Sequence, residues 1–331
     1  MIPIHRISAR IVAITALALV LGFAAAPGQA QVTAFKQAVA EAASKDDAVA
    51  AFYRETNYVP LWTGEGEVFA ARRAALVEAL RSVGLHGLPA ERYDAEALIR
   101  QMSNARTTRD VGLVEVALSR AFARYARDVQ SGILVPSEID SGIVREITYR
   151  DRTQTLKAFA ASAPRAFLRG LAPATAEYRA LMKEKMRLEQ VMAEGAWGPR
   201  VPASALKPGA SGDDVVALRN RLMAMGYLGR SASRDYDAAL ERGVQAFQAA
   251  HGLETDGVAG QGTMDEINAP VEQRLKSVIV ALERERWMNI DRGKRHIIVN
   301  QTDFTARIID DGHVTFETRA VIGMNTHDRR S

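Results

Sequence analysis

The 331 residues are 47% hydrophobic and 25% charged, enough apolar content to bury more than one core and too much for a disordered polymer. The net charge of +4 and a pI near 9.4 suit an anionic neighbour such as a wall polymer or membrane lipid, but no dense Lys/Arg run singles out nucleic acid. The sequence has no cysteine, which excludes disulfides, thiolate metal sites and a cysteine nucleophile within it.

Arg6 and Arg10 precede an apolar run from Ile11 to Ala26, after which Gly28 and Ala30 stand at the −3 and −1 positions of a cut before Gln31. That order predicts a secretory signal over residues 1–30 and a periplasmic protein; left uncleaved, the segment would be an inner-membrane anchor, although its apolar run is short for a span.

Residues 31–200 read as a helical domain. Ala75, Leu76, Ala79, Leu80 and Val83 share one face of a predicted helix, with Gly84 as its stop. A second helix carries Val114, Leu118, Ala121, Phe122, Tyr125 and Val129 and ends at Gly132; a third aligns Tyr178, Leu181, Met182, Met186 and Leu188. Ala196–Gly212, with three prolines and three glycines, reads as a linker.

Residues 203–270 read as a three-helix unit. Its first helix turns Val215, Leu218, Leu222 and Met225 inward and ends at Gly226. The second starts at the N-cap Asp237, buries Leu240, Val244 and Phe247, and ends at Gly252, with His251 placed to favour the helix dipole. Thr263 and Glu266 predict a capping box for the third, which carries Met264 and Ile267 and closes at Pro270. Gly252, Gly257 and Gly260 are expected to let the last two helices turn tightly around one core. In the final segment, 271–331, a helix directs Leu275, Val278, Leu282 and Trp287 inward. Strands then follow at 296–300, 304–310 and 312–323, with an Asp310-Asp311-Gly312 turn and Val314, Phe316, Thr318 and Ala320 on one face.

Chemistry is sparse. None of the six histidines pairs at metal-ligand spacing and no HExxH occurs, so neither a metal nor a cofactor is expected. There is no GxSxG or SxxK. Asp235, Asp237, Asp256 and Asp265 are accounted for by turns and caps rather than by a glycosidase pair. No catalytic residue is assigned.

The series Phe247, Gln248, His251, Gly252, Leu253, Asp256, Gly257, Gly260, Thr263 resembles the three-helix peptidoglycan-binding domain. Upstream, AFYRETNYVPLWTG, GLHGLPAERYDAEAL and RYARDVQSGILVPSEID are similar to the helical scaffold of large L,D-transpeptidases; downstream, LERERWMN and RHIIVNQTDFTARIIDDGHVTFETRAVIG resemble the first strands of their catalytic domain. The resemblance implies a mainly α chain: a helical scaffold domain, a peptidoglycan-binding module, then the first β-strands of an incomplete β-rich domain. It implies peptidoglycan, both glycan strand and stem peptide, as partner, alongside other cell-wall synthesis enzymes, with Gln248, Asp256 and Thr263 as contacts. The family's reaction cross-links stem peptides through a cysteine acyl-enzyme, and its cysteine stands in a Ser/Thr-x-Gly-Cys stretch that this sequence lacks. The expectation is therefore the forward part of a murein L,D-transpeptidase, inactive as these 331 residues stand. The alternative is a non-catalytic peptidoglycan-binding or regulatory envelope protein.

Overall fold

The computed structural model describes residues 27–301 and 304–321. Most of the expected signal, the tail from Thr326 to Ser331, and both His5 and His327 lie outside the described residues. Thirteen α-helices and three strands are seen among those described, so the chain is mainly α as expected. The first helix, α1 (Pro27–Ala43), runs across the cut expected before Gln31.

Short polar caps mark where the next helices begin. Asp46 caps α2 (Asp47–Glu55); α3 spans Glu67–Arg81; Asp94 caps α4 (Ala95–Asn104). Thr107 and Asp110 form a reciprocal capping box on α5 (Thr108–Ser131). After α6 (Pro136–Ile139), Asp151 caps α7 (Arg152–Ala160); α8 is Pro164–Arg169, and Thr175 caps α9 (Ala176–Ala193). The apolar stripe of α5 lies at the centre of the scaffold core, where Phe122 and Phe159 sit 4.5 Å apart and Trp62 stacks on Phe159 at 5.1 Å. The predicted inner faces of α3 and α5 are buried, Ala121 partly.

Two features of this region differ from the sequence reading. Gly84 does not end α3: the helix stops at Arg81, a 3-10 turn takes Val83–His86, and the left-handed residue is Gly87, with φ of 69°. On α9, Met186 is exposed and Lys185 is buried in its place, paired with Glu189 at 2.5 Å. The buried face runs through Tyr178, Lys185 and Leu188; Met186 points about 100° away from Lys185, and a lysine stem packs like an aliphatic chain.

Three further helices, α10 (Asp213–Met225), α11 (Ala238–Ala250) and α12 (Gln261–Ile267), enclose a separate core of Val215, Leu218, Leu222, Leu240, Val244, Phe247, Met264 and Ile267. The linker takes part: Val201 belongs to this core, and Asn268 both accepts from its N–H and donates to its carbonyl. Buried Arg221 reaches the carbonyls of Gly198 and Ile267, tying the entry of the unit to its exit.

The next helix, α13 (Val271–Trp287), which the sequence groups with the strands, packs back along α9 and α5. Its Glu283 accepts from the backbone N–H groups of Ile133 and Leu134 and from the Trp287 indole, while Arg286 binds Glu283 and donates to the His86 carbonyl and the Tyr178 hydroxyl. Both charges are buried, and the pattern of a charged surface helix hid them.

Strands β1 (Arg295–Asn300), β2 (Thr305–Asp310) and β3 (His313–Arg319) form an antiparallel sheet in that order. Asp311 and Gly312 both take positive φ, as a two-residue hairpin turn requires. The single-face expectation for β3 does not hold: the register shifts between Ile308 and Ile309, so Phe316 pairs with Ile308 and Val314 with its neighbour Ile309.

Candidate functional site

One buried side chain organises the turn between α11 and α12. Gln248, 1% exposed near the end of α11, donates through Nε2 to Asp256 Oδ1 (2.8 Å), the Val258 carbonyl (3.0 Å) and Thr263 Oγ1 (3.2 Å), and its Oε1 accepts from Gly257 N–H (2.9 Å). The three contact residues expected from the sequence are thus brought together in one network that closes the turn between α11 and α12. Gln248 and Thr263 are buried within it, while Asp256 is exposed at its rim. The N–H of Val258 and the Gln248 amide hold the Asp256 carboxyl below its ordinary range.

Two of the three glycines are required here. Gly252 and Gly257 have φ of 68° and 75°, and a Cβ on Gly257 would fall 2.8 Å from Glu241 Cγ. Gly260 has φ of −70° and open space around it; it serves as N-cap of α12. The expected Thr263–Glu266 capping box is therefore absent. The N-cap lies three residues earlier, at Gly260, Thr263 turns inward to Gln248, and Glu266 pairs with Arg274 of α13.

On the other side of α11 a groove of about 190 Å³ opens between this unit, α9 and α13. His251 lies over Phe247 with ring centroids 3.9 Å apart, and Tyr227 stands 5.9 Å from the imidazole. The Phe247 carbonyl accepts from His251 Nδ1 at 2.8 Å, which leaves Nε2 as an acceptor. Burial pushes the His251 pKa below its ordinary value, which weakens the favourable interaction with the helix dipole expected from the sequence. Arg187, forked onto Glu184 at 2.7 and 2.8 Å, and Arg274 flank the rings. Trp197 closes the groove, its buried Nε1 without a partner among the described residues. Sequence reasoning missed this groove. Its one local signal is a tryptophan in an otherwise small-residue linker; the other residues come from four separate helices or helix ends.

Among the described residues no group of three or more His, Asp or Glu side chains could hold a metal ion. Residues 47–184 match the family model of a scaffold domain, and residues 211–267 match that of a peptidoglycan binding domain. The chain combines a scaffold domain with a peptidoglycan-binding domain. No curated protein matches it. The boundaries agree with the geometry: the first match falls within the scaffold helices, and the second takes in the whole Gln248 network.

Proposed function

We propose that this is an exported envelope protein of the periplasm that holds peptidoglycan through its three-helix module. The observation that carries the reading is the match of residues 211–267 to a peptidoglycan binding domain, together with the groove of Tyr227, His251 and Trp197 beside it. Aromatic faces suit sugar rings, and the flanking arginines suit the carboxylates of the wall. At the turn, Asp256 is the residue that reaches a ligand, with Gln248 and Thr263 fixing its position. The order of scaffold, binding module and strands further supports an L,D-transpeptidase-type protein, in which the module would deliver stem peptides to a cysteine carried elsewhere. The acyl-enzyme step itself is not assigned to these residues, which contain no cysteine.

Sedimentation with purified sacculi tests the binding. The wild-type chain is expected in the pellet. Arg187→Ala combined with Asp256→Ala, both changes at the surface, should shift it toward the supernatant. Wild-type chain left in the supernatant at low salt would overturn the reading.

A further inference from the structure

A cleft larger than the aromatic groove belongs to neither that groove nor the Gln248 turn. It opens on the scaffold between α3, α8 and the start of α9, with a volume of about 600 Å³, within the range of small-molecule sites. Its floor is aliphatic, formed by residues such as Ala79, Leu168 and Ala172. Three arginines stand around it, Arg165, Arg169 and Arg179, against one carboxylate, Glu78, which Arg165 already pairs at 2.9 Å.

Two polar atoms in its wall are open to a ligand. Tyr125 is 3% exposed as a residue, and its hydroxyl, which lines the cleft, has no hydrogen-bond partner among the described residues. His86 Nε2 is the second. Buried Arg286, which can only donate, bonds the Tyr178 hydroxyl at 3.1 Å, and that hydroxyl lies 3.0 Å from His86 Nδ1. With the hydroxyl proton directed at His86 Nδ1, the ring proton stands on Nε2, which has no protein acceptor among the described residues and belongs to a ring that lines the cleft. A hydrogen-bonded chain that starts in the core thus orients the imidazole.

We infer that this cleft is a second recognition site, which takes the short, carboxylate-bearing peptide stem of peptidoglycan. The inference rests on the wall-binding reading above. Small aliphatic side chains match the alanine-rich stem, Arg169 and Arg179 match its carboxylates, and Tyr125 and His86 supply hydrogen bonds to its amides. The module would hold the wall while the scaffold orients the peptide.

The test is an NMR titration of the chain, with labelled histidine rings, by a disaccharide-tetrapeptide and by the same compound with its carboxylates converted to amides. The carboxylate probe should move the His86 signals, and the amidated probe should bind about tenfold more weakly. Arg169→Glu with Arg179→Glu, at exposed positions, should lower affinity about tenfold or more, and Tyr125→Phe about fivefold. Sacculus sedimentation should survive both sets of changes. Sedimentation without any shift at His86 discards the cleft and keeps the wall-binding reading; a His86 shift in a chain that does not sediment does the reverse. Equal binding of both probes, or unchanged affinity in the variants, also overturns the inference.

Discussion

The scaffold and the three-helix module each pin a loop with one buried side chain, and the two side chains are near isosteres of opposite hydrogen-bonding character. In the scaffold, Glu115 on α5 accepts from the backbone N–H groups of Leu61, Trp62 and Thr63 and from the hydroxyls of Tyr53 and Thr63. In the module, Gln248 donates to three acceptors and accepts once. Toward Glu115 the loop around Trp62 presents only donors, so a carboxylate, which only accepts, satisfies it. The turn around Asp256 presents acceptors and one donor, so it needs an amide. What decides the hub residue is the sign of the groups facing it, not how polar or how buried the site is.

Exchanging the hubs breaks the comparison in both directions. Gln248→Glu puts a carboxylate, 1% exposed, against Asp256, the Val258 carbonyl and the Thr263 hydroxyl. It should destabilise the module by about 3 kcal/mol or more at neutral pH. Part of that loss should return in acid, where the new carboxyl can donate. Denaturant unfolding followed at the module and the scaffold separately checks it, and an unchanged midpoint for the module would refute the account. Glu115→Gln is expected to cost about 2 kcal/mol, because the amide nitrogen faces donors where the second oxygen stood. Its effect should appear in the scaffold and leave the module's transition in place.

Much of the fold was legible because it rests on period and caps. The stripes of α3, α5, α10 and α11 and the hairpin at Asp311-Gly312 follow from apolar spacing and turn chemistry. The hubs were not legible. Glu115, Glu283 and Arg286 have the spacing of surface charges, and their burial depends on segments 53 to 200 residues away in the chain. The cap of α12 was misplaced for a related reason: Thr263 and Glu266 have capping-box spacing, but a long-range bond to Gln248 takes the threonine. The site divides the same way. Gln248, Asp256 and Thr263 stood out as a local pattern, whereas the aromatic groove and the Tyr125–His86 cleft are assembled from distant segments.

The hydrogen-bonded chain behind the cleft sharpens the contrast through pH. Burial, with Arg286 nearby, pushes the His86 pKa down to about 4, from about 6.5 for an ordinary histidine. Between those values the unfolded chain binds a proton that the folded chain does not. The scaffold should therefore keep its full stability above about pH 6.5 and lose stability as pH falls toward about 4. His86→Gln should flatten that part of the scaffold's profile. A wild-type profile that is level from pH 7 to 4 would show that His86 does not carry the effect.

The smallest expected change is a gain. Gly260 caps α12 with φ of −70° and ψ of 179°, a conformation open to any residue, and a Cβ there would meet nothing within 4 Å. No side chain now satisfies the first N–H groups of α12, since Thr263 is engaged by Gln248. Serine has the reach to do so, and Gly260→Ser should raise module stability by a few tenths of a kcal/mol. Gly257→Ser, three residues earlier, should instead destabilise by roughly 1–3 kcal/mol, since it combines a left-handed φ with a clash at Glu241. Opposite signs at two glycines of one turn would show that the Gln248 network, not glycine content, sets the path between the helices. A loss at both would mean that the turn needs backbone freedom at Gly260 as well, as its glycine pattern alone suggests.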